Sequence, residues 1–356
     1  MKKILAILLA ALLALTCVAL AEEKIALVTD IGGIDDESFN QACWEGVVEF
    51  ATANNLEYQY YKPDEDSHDS RMIKIDTAVA EGATVIVLPG YLFGTAVVEA
   101  QDEYPDVKFI AVDVGSGDLT FDYVTYYDAS ANVVCVTFAE EQAGFLAGYA
   151  AVKDGYTKLG FLGGMAVPAV VRYGYGFVQG ADYAAKEMGV NIEIKYTYGG
   201  QFFGDPAITA KMEGWYQAGT QVVFACGGGI YTSALEAAKL NNGKVIGVDV
   251  DQGVIDELII TSAMKGLKNV TETLLGEYFA GNWESVGGQF KVYSLNEGDY
   301  VGLPTNEATW RLTTFTVEDL DTVKALIMDG TIAIDNSFDT EVTPAVSEFT
   351  VVDYIA

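Results

Sequence analysis

Seven residues bring together Asp30, the glycine pair Gly32 and Gly33, and the carboxylates Asp35 and Asp36, in the stretch IALVTDIGGIDDESFN at 25–40. Side chains of that kind at that spacing can converge on a hard cation, cap a helix, or accept hydrogen bonds from a small polar ligand. Phe39 and Asn40 follow at once, adding an aromatic face and an amide. An ordinary βα turn accounts for the same residues, with glycines supplying positive φ and an Asp capping the helix. Two further acids end apolar runs: Asp113 follows 108–112 and Asp249 follows 244–248. Open α/β sheets bind ligands beyond the carboxyl ends of their strands, which is where these acids fall. Glycines 227 to 229 follow a third such run.

Little else in the chain offers catalysis. The single histidine, His68, lies in a polar stretch at 64–70 and gives no support to a Ser-His-Asp or Cys-His group. Cys43, Cys135 and Cys226 sit in apolar surroundings without a CxxC, so they read as small buried hydrophobes rather than metal ligands or a disulfide framework. No GxxxxGK[ST] occurs, and the glycines at 227–229 lack dinucleotide spacing. The expectation is therefore no catalytic residue, no metal and no cofactor.

The elements that must position these residues alternate. Ile25 to Thr29 reads as a buried strand, and a helix follows from about Phe39 to Ala53 with Ser38 or Asp36 as its cap. Strands at 56–61, 84–88 and 108–112 are separated by helices at 71–81 and 95–104, and 120–127 reads as an extended segment leaving the sheet. A second series begins with an Ala- and Gly-rich helix at 138–153, which should pack closely. It continues through strands at 159–162, 191–196, 221–225 and 244–248 and helices at 173–188, 206–218 and 231–240. Strands alternating with helices of this length mean βαβ units and parallel sheets. The chain is an α/β protein of two doubly wound lobes. The expected division is 22–127 with 252–284 in one lobe and 128–251 with 285–356 in the other.

Composition narrows the setting. Met1-Lys2-Lys3 and an apolar run from Ile4 to about Leu15 make a secretory leader (1–21), too short for a convincing membrane anchor. Ala19-Leu20-Ala21 fits a cleavage site before Glu22, giving a freely exported chain. A lipid on Cys17 is the competing expectation, with Thr16 poorly suited to precede it. Losing Lys2 and Lys3 leaves 18 basic residues against 51 acidic ones. So acidic a chain does not favour nucleic acid or an anionic membrane surface.

An ordered set of segments carries a resemblance. VTDIGGIDDESFNQACWEG (28–46), EQAGFLAG (141–148), GFLGGMAVP (160–168), YGYGF (173–177), FGDP (203–206), ACGGG (225–229), VIGVDVDQ (245–252) and TSAMK (261–265) are similar, in this order, to the signatures of the basic membrane protein family. These are the purine nucleoside receptors that serve as substrate-binding proteins of ABC transporters.

That resemblance implies a type I periplasmic-binding-protein fold with a multi-strand hinge, whose lobes close on a ligand. It implies a purine nucleoside held between the lobes for delivery to an ABC permease, by a protein expected to be monomeric. Phe39 and Tyr173 would sandwich the base and Asp113 would read it, with Asp30 and Asn40 close by. Asp249 and Lys265 would hold the ribose hydroxyls, where Gly227 and Gly228 let backbone approach. Tyr173 stands where the family has Phe, Arg172 adds a cation, and Ala166 replaces a common Asp, so ligand choice is the open point. A sugar receptor of the same fold, a signalling receptor, and a calcium-dependent nucleoside hydrolase compete. The hydrolase motif wants an Asp where this chain has Val28, and catalytic histidines that His68 is badly placed to replace.

Overall fold

In a computed structural model, the protein is described over residues 23–337 and 343–355. The leader, with its expected cleavage after Ala21 and the alternative lipid on Cys17, lies outside the described residues. Among those residues no helix is long and apolar enough to cross a membrane.

Among the described residues thirteen strands make two sheets. The first contains β1 (Lys24–Val28), β2 (Glu57–Tyr61), β3 (Ala83–Pro89), β4 (Lys108–Val112), β5 (Val133–Phe138) and β11 (Gln289–Tyr293), in the order β11-β5-β4-β3-β1-β2. Every pairing in it is parallel. The second contains β6 (Lys158–Gly163), β7 (Ile192–Tyr198), β8 (Val222–Cys226), β9 (Lys244–Asp249), β10 (Ile259–Lys265), β12 (Val301–Gly302) and β13 (Thr350–Tyr354). Only the short β12 runs antiparallel there, against β10.

Helices on both faces explain why the central strands are apolar throughout rather than alternating. Ile25 and Leu27 of β1 join one buried cluster, while Ala26 and Val28 join another on the opposite face. The helices are α1 (Phe39–Asn54), α2 (His68–Ala80), α3 (Gly94–Glu103), α4 (Glu140–Lys153), α5 (Pro168–Met188), α6 (Pro206–Gln217), α7 (Tyr231–Asn241), α8 (Leu267–Phe279) and α9 (Val317–Met328).

The Ala- and Gly-rich α4 packs directly on α5. A Cβ at Gly144 would strike the carbonyl oxygen of Tyr173, one at Gly148 that of Phe177, and one at Gly176 that of Glu141. Glycines on both helices therefore lock the two backbones together, which fixes the start of α4 against the second turn of α5.

The chain passes between the sheets three times. It leaves the first after β5, returns to it after β10, when α8 packs on α1, and leaves again after β11. These crossings differ from the division expected at 127/128, 251/252 and 284/285. Strand β5 falls between the extended segment ending at 127 and the helix expected at 138–153, where the sequence reading places no element, and it pairs with β4 in the first sheet. Strand β10 pairs with β9 in the second sheet, and β11 pairs with β5 in the first. The reason is local: no helix separates β4 from β5, so the alternation that marks βαβ units fails there. The segment at 120–127 makes only an isolated antiparallel bridge between Thr120 and Tyr126 and does not extend the sheet.

Candidate functional site

The turn after β1 is organised by two carboxylates. Asp36 Oδ1 accepts from the backbone N–H groups of Ser38 (2.9 Å) and Gln41 (3.1 Å), and its Oδ2 accepts from that of Asn40 (3.0 Å). It thereby satisfies donors that the first turn of α1 would otherwise leave open, and its charge suits the positive helix end. Asn40 is buried and pinned: its Nδ2 donates to Asp30 Oδ1 (2.9 Å) and Asp36 Oδ2 (3.1 Å), and its Oδ1 accepts from Asp30 N (3.3 Å). The amide is thus spent on shaping the wall. Asp30 Oδ1 also accepts from Gly32 N at 2.6 Å. Burial pushes the Asp30 carboxyl up to about 6 despite those two hydrogen bonds.

Asp36 caps the helix and frees the hydroxyl at the N-cap. Ser38 Oγ donates to Asp249 Oδ2 at 2.6 Å, joining the start of α1 to the end of β9. Gln252 Nε2 makes a second tie of this kind, donating to the carbonyl of Glu37 at 3.0 Å. Asp113 and Asp249 both hold the left-handed backbone, with φ of 60° and 66°, a conformation Asp tolerates better than most residues.

Lys265, the last residue of β10, sits between these acids. Its Nζ donates to Asp113 Oδ2 (2.5 Å) and to Glu140 Oε1 (3.4 Å), with Asp249 Oδ1 at 3.9 Å. It also lies over three rings, 4.8 Å from the centroid of Phe39, 5.5 Å from Phe138 and 5.7 Å from Tyr173. Burial opposes the charge, but Asp113, Glu140 and Asp249 outweigh it and hold the ammonium above the ordinary lysine range. Burial raises the Asp113 carboxyl although Lys265 pulls it down, and it raises Asp249 to about 6 against Lys265 and Ser38.

The opposite wall is apolar and close. Gly227 and Gly228 have φ of 136° and 50°, and a Cβ at Gly227 would lie 2.9 Å from the ring of Phe202. The Phe202 carbonyl accepts from Gly229 N at 2.8 Å, fixing that loop. Tyr173 is almost wholly buried, and its hydroxyl has no hydrogen-bond partner.

Between the walls lies a cavity of about 760 Å³, counting its open mouth. Small-molecule sites span roughly 300–1,000 Å³. All nine residues singled out in the sequence line it: Asp30, Phe39, Asn40, Asp113, Tyr173, Gly227, Gly228, Asp249 and Lys265. Sequence reading missed Tyr91, Ala169, Val170 and Phe202, which line it too. For Ala169 and Val170 the signal was Pro168, which stands at the first position of α5 and begins that helix a full turn before Tyr173. Arg172 does not line the cavity; its Nε donates to Glu140 Oε2 at 2.7 Å. His68 opens α2 and bonds Thr95 and Glu99.

Two doubly wound lobes, three crossings and a polar and aromatic cavity between the sheets define the architecture of a bilobed solute-binding protein. Solved structures share it. The ABC transporter solute-binding protein of Aeropyrum pernix K1 superposes with a TM-score of 0.76 at 21% identity, covering 90% of this chain and 95% of that one. That of Conexibacter woesei superposes at 0.69 and 22%, over 88% and 99%.

The chain belongs to the Bmp family, the PnrA-like ABC transporter substrate-binding proteins, whose model matches residues 23–347. Among its relatives are the "ABC transporter nucleoside-binding protein BmpA" of Lactococcus lactis, 29% identical over 87% of this chain and 88% of that one, and "Basic membrane protein B" of Borreliella burgdorferi, 31% identical over 79% and 80%. The function class follows: an extracytoplasmic substrate-binding protein that takes up a solute and delivers it to an ABC permease.

Proposed function

We propose that the solute is a purine nucleoside, such as inosine, guanosine or adenosine, held between the lobes by a protein that acts as a monomer and has no catalytic activity. The observation that carries this reading is the pairing in one cavity of two aromatic rings from different lobes, Phe39 and Tyr173, with the acids Asp113 and Asp249 and the cation Lys265. Rings bind a base through its π-face, worth about 1–3 kcal/mol per base. Carboxylates accept from base N–H groups and ribose hydroxyls, and an ammonium donates to a hydroxyl oxygen. The nucleoside-binding name of the Lactococcus relative points the same way. Asp30 and Asn40 support the site by shaping its first-lobe wall.

Calorimetric titration of the mature chain with inosine, guanosine, adenosine, cytidine, ribose and galactose tests the reading. One-to-one binding of a purine nucleoside, with cytidine and the sugars silent, is the expected result. A response to a sugar alone would overturn the ligand and keep the function class. Mass spectrometry of the exported protein reads the proposed start at Glu22 against a lipid on Cys17.

A further inference from the structure

Behind the cavity, buried Glu140 and half-buried Arg172 make a chain of ion pairs to Lys265, the one lysine or arginine that lines it among the described residues. Glu140 has no exposed surface and opens α4 just after the first crossing; Lys265 ends β10 just before the second. Glu140 holds Arg172 through Oε2 and faces Lys265 through Oε1. Lys265 reaches Asp113 on the other side. A row of alternating charge, Arg172, Glu140, Lys265, Asp113, therefore runs from α5 of the second lobe to the end of β4 in the first, past two of the three hinge crossings.

We infer that Glu140 and Arg172 are positioning residues for ligand binding, setting the place of the Lys265 ammonium without touching the ligand. The inference rests on the nucleoside site proposed above. A lysine ammonium is a compact charge on a flexible stem, whereas a guanidinium is a rigid planar donor. Asp113, Asp249 and three ring faces all attract Lys265, and by themselves they leave it several resting places. Glu140 holds it from behind the cavity, on the side away from both acids. Its backbone is held by the glycine packing of α4 on α5, and its carboxylate by Arg172 on that same helix. Without Glu140, Lys265, already on Asp113, also closes on Asp249 and occupies acceptors that ligand N–H and O–H groups need.

The adjacent Glu141 separates this role from mere burial of charge. It is buried as well, its Oε2 has no partner, and burial next to Glu140 pushes its carboxyl up to about 7. It is not among the groups that bond Lys265, so Glu141→Gln alters a buried carboxyl beside Glu140 without removing a partner of the lysine.

The experiment is inosine and guanosine titration of the full mature chain and of Glu140→Gln, Arg172→Gln, Arg172→Lys and Glu141→Gln, with folding checked by thermal unfolding. Glu140→Gln should weaken binding at least about tenfold and Arg172→Gln at least about threefold, with Arg172→Lys recovering most of that loss and Glu141→Gln within about twofold of wild type. If Glu140→Gln does not fold, the contrast between Arg172→Gln and Arg172→Lys decides. Wild-type affinity in a folded Glu140→Gln, equal losses in Glu140→Gln and Glu141→Gln, or no difference between the two Arg172 variants would overturn the positioning role while nucleoside binding stands. A wild type silent towards every nucleoside would instead bring down the nucleoside reading, and this inference with it.

Discussion

The two walls of the cavity are built by opposite means. On the first-lobe side Asp30, Asp36 and Asn40 form a polar lattice whose hydrogen bonds close within eleven residues of chain. On the second-lobe side Gly227, Gly228, Phe202 and Tyr173 come from segments far apart in sequence and meet by close packing. A local lattice loses one bond at a time when it is altered. A packed glycine wall has no intermediate state, because a Cβ either fits or displaces its neighbours.

The largest effect should therefore fall on the packed wall. Gly227→Val forces a branched side chain into a φ of 136° and against the Phe202 ring. Strain of this kind costs on the order of 1–3 kcal/mol before any clash is counted. Thermal unfolding should show a large fall and titration the loss of nucleoside binding; a variant with both intact would show that this wall is plastic. Next come the groups that meet the ligand from either side. Phe39→Ala and Asp249→Ala should each weaken nucleoside binding at least tenfold, about 1.4 kcal/mol. Normal binding by both would mean that the ligand sits elsewhere. Asp36→Ala removes a cap and should cost about 1 kcal/mol of stability by chemical denaturation, with a smaller loss of affinity through the loosened Asn40. An effect as large as that of Gly227→Val would erase the distinction between the walls.

The same contrast explains what the sequence disclosed. The first wall was legible because its chemistry is local: strand, Gly/Asp turn and capped helix are specified by residues 25–41 alone, and Asp36 takes the cap the spacing allows. The ends of β4 and β9 were legible because apolar runs terminate in Asp113 and Asp249. Phe202 could not be read, since an aromatic in a loop gains meaning only when Gly227 and Gly228 pack on it from a distant strand. In the sequence Glu140 is one more residue of an Ala- and Gly-rich helix. Its partners Arg172 and Lys265 lie 32 and 125 residues away, and no local pattern joins them. The hinge crossings escaped for a topological reason. Strand β5 follows β4 without a helix between them, and β10 and α8 are neighbours in sequence that belong to different lobes.

The smallest effect is also the most specific to the polar wall. Asp30 is half-buried, and in the folded state its carboxyl is raised from 3.8 to about 6. Between those values the folded state binds more protons than the unfolded chain, so this group's contribution to stability is present below about pH 4 and is lost as pH rises through 6. Asp30→Asn keeps a side-chain oxygen for Gly32 N and removes the titration. The stability of Asp30→Asn relative to wild type should therefore improve steadily from pH 4 to pH 6 and level off above. Denaturant titrations of both proteins across that window measure the difference directly, and other carboxylates cancel to the extent that they are shared. A difference independent of pH would mean that Asp30 keeps an ordinary acidity in the folded protein. In that case the polar wall is solvated even with the lobes together, and the contrast with the sealed glycine wall would extend from packing to water.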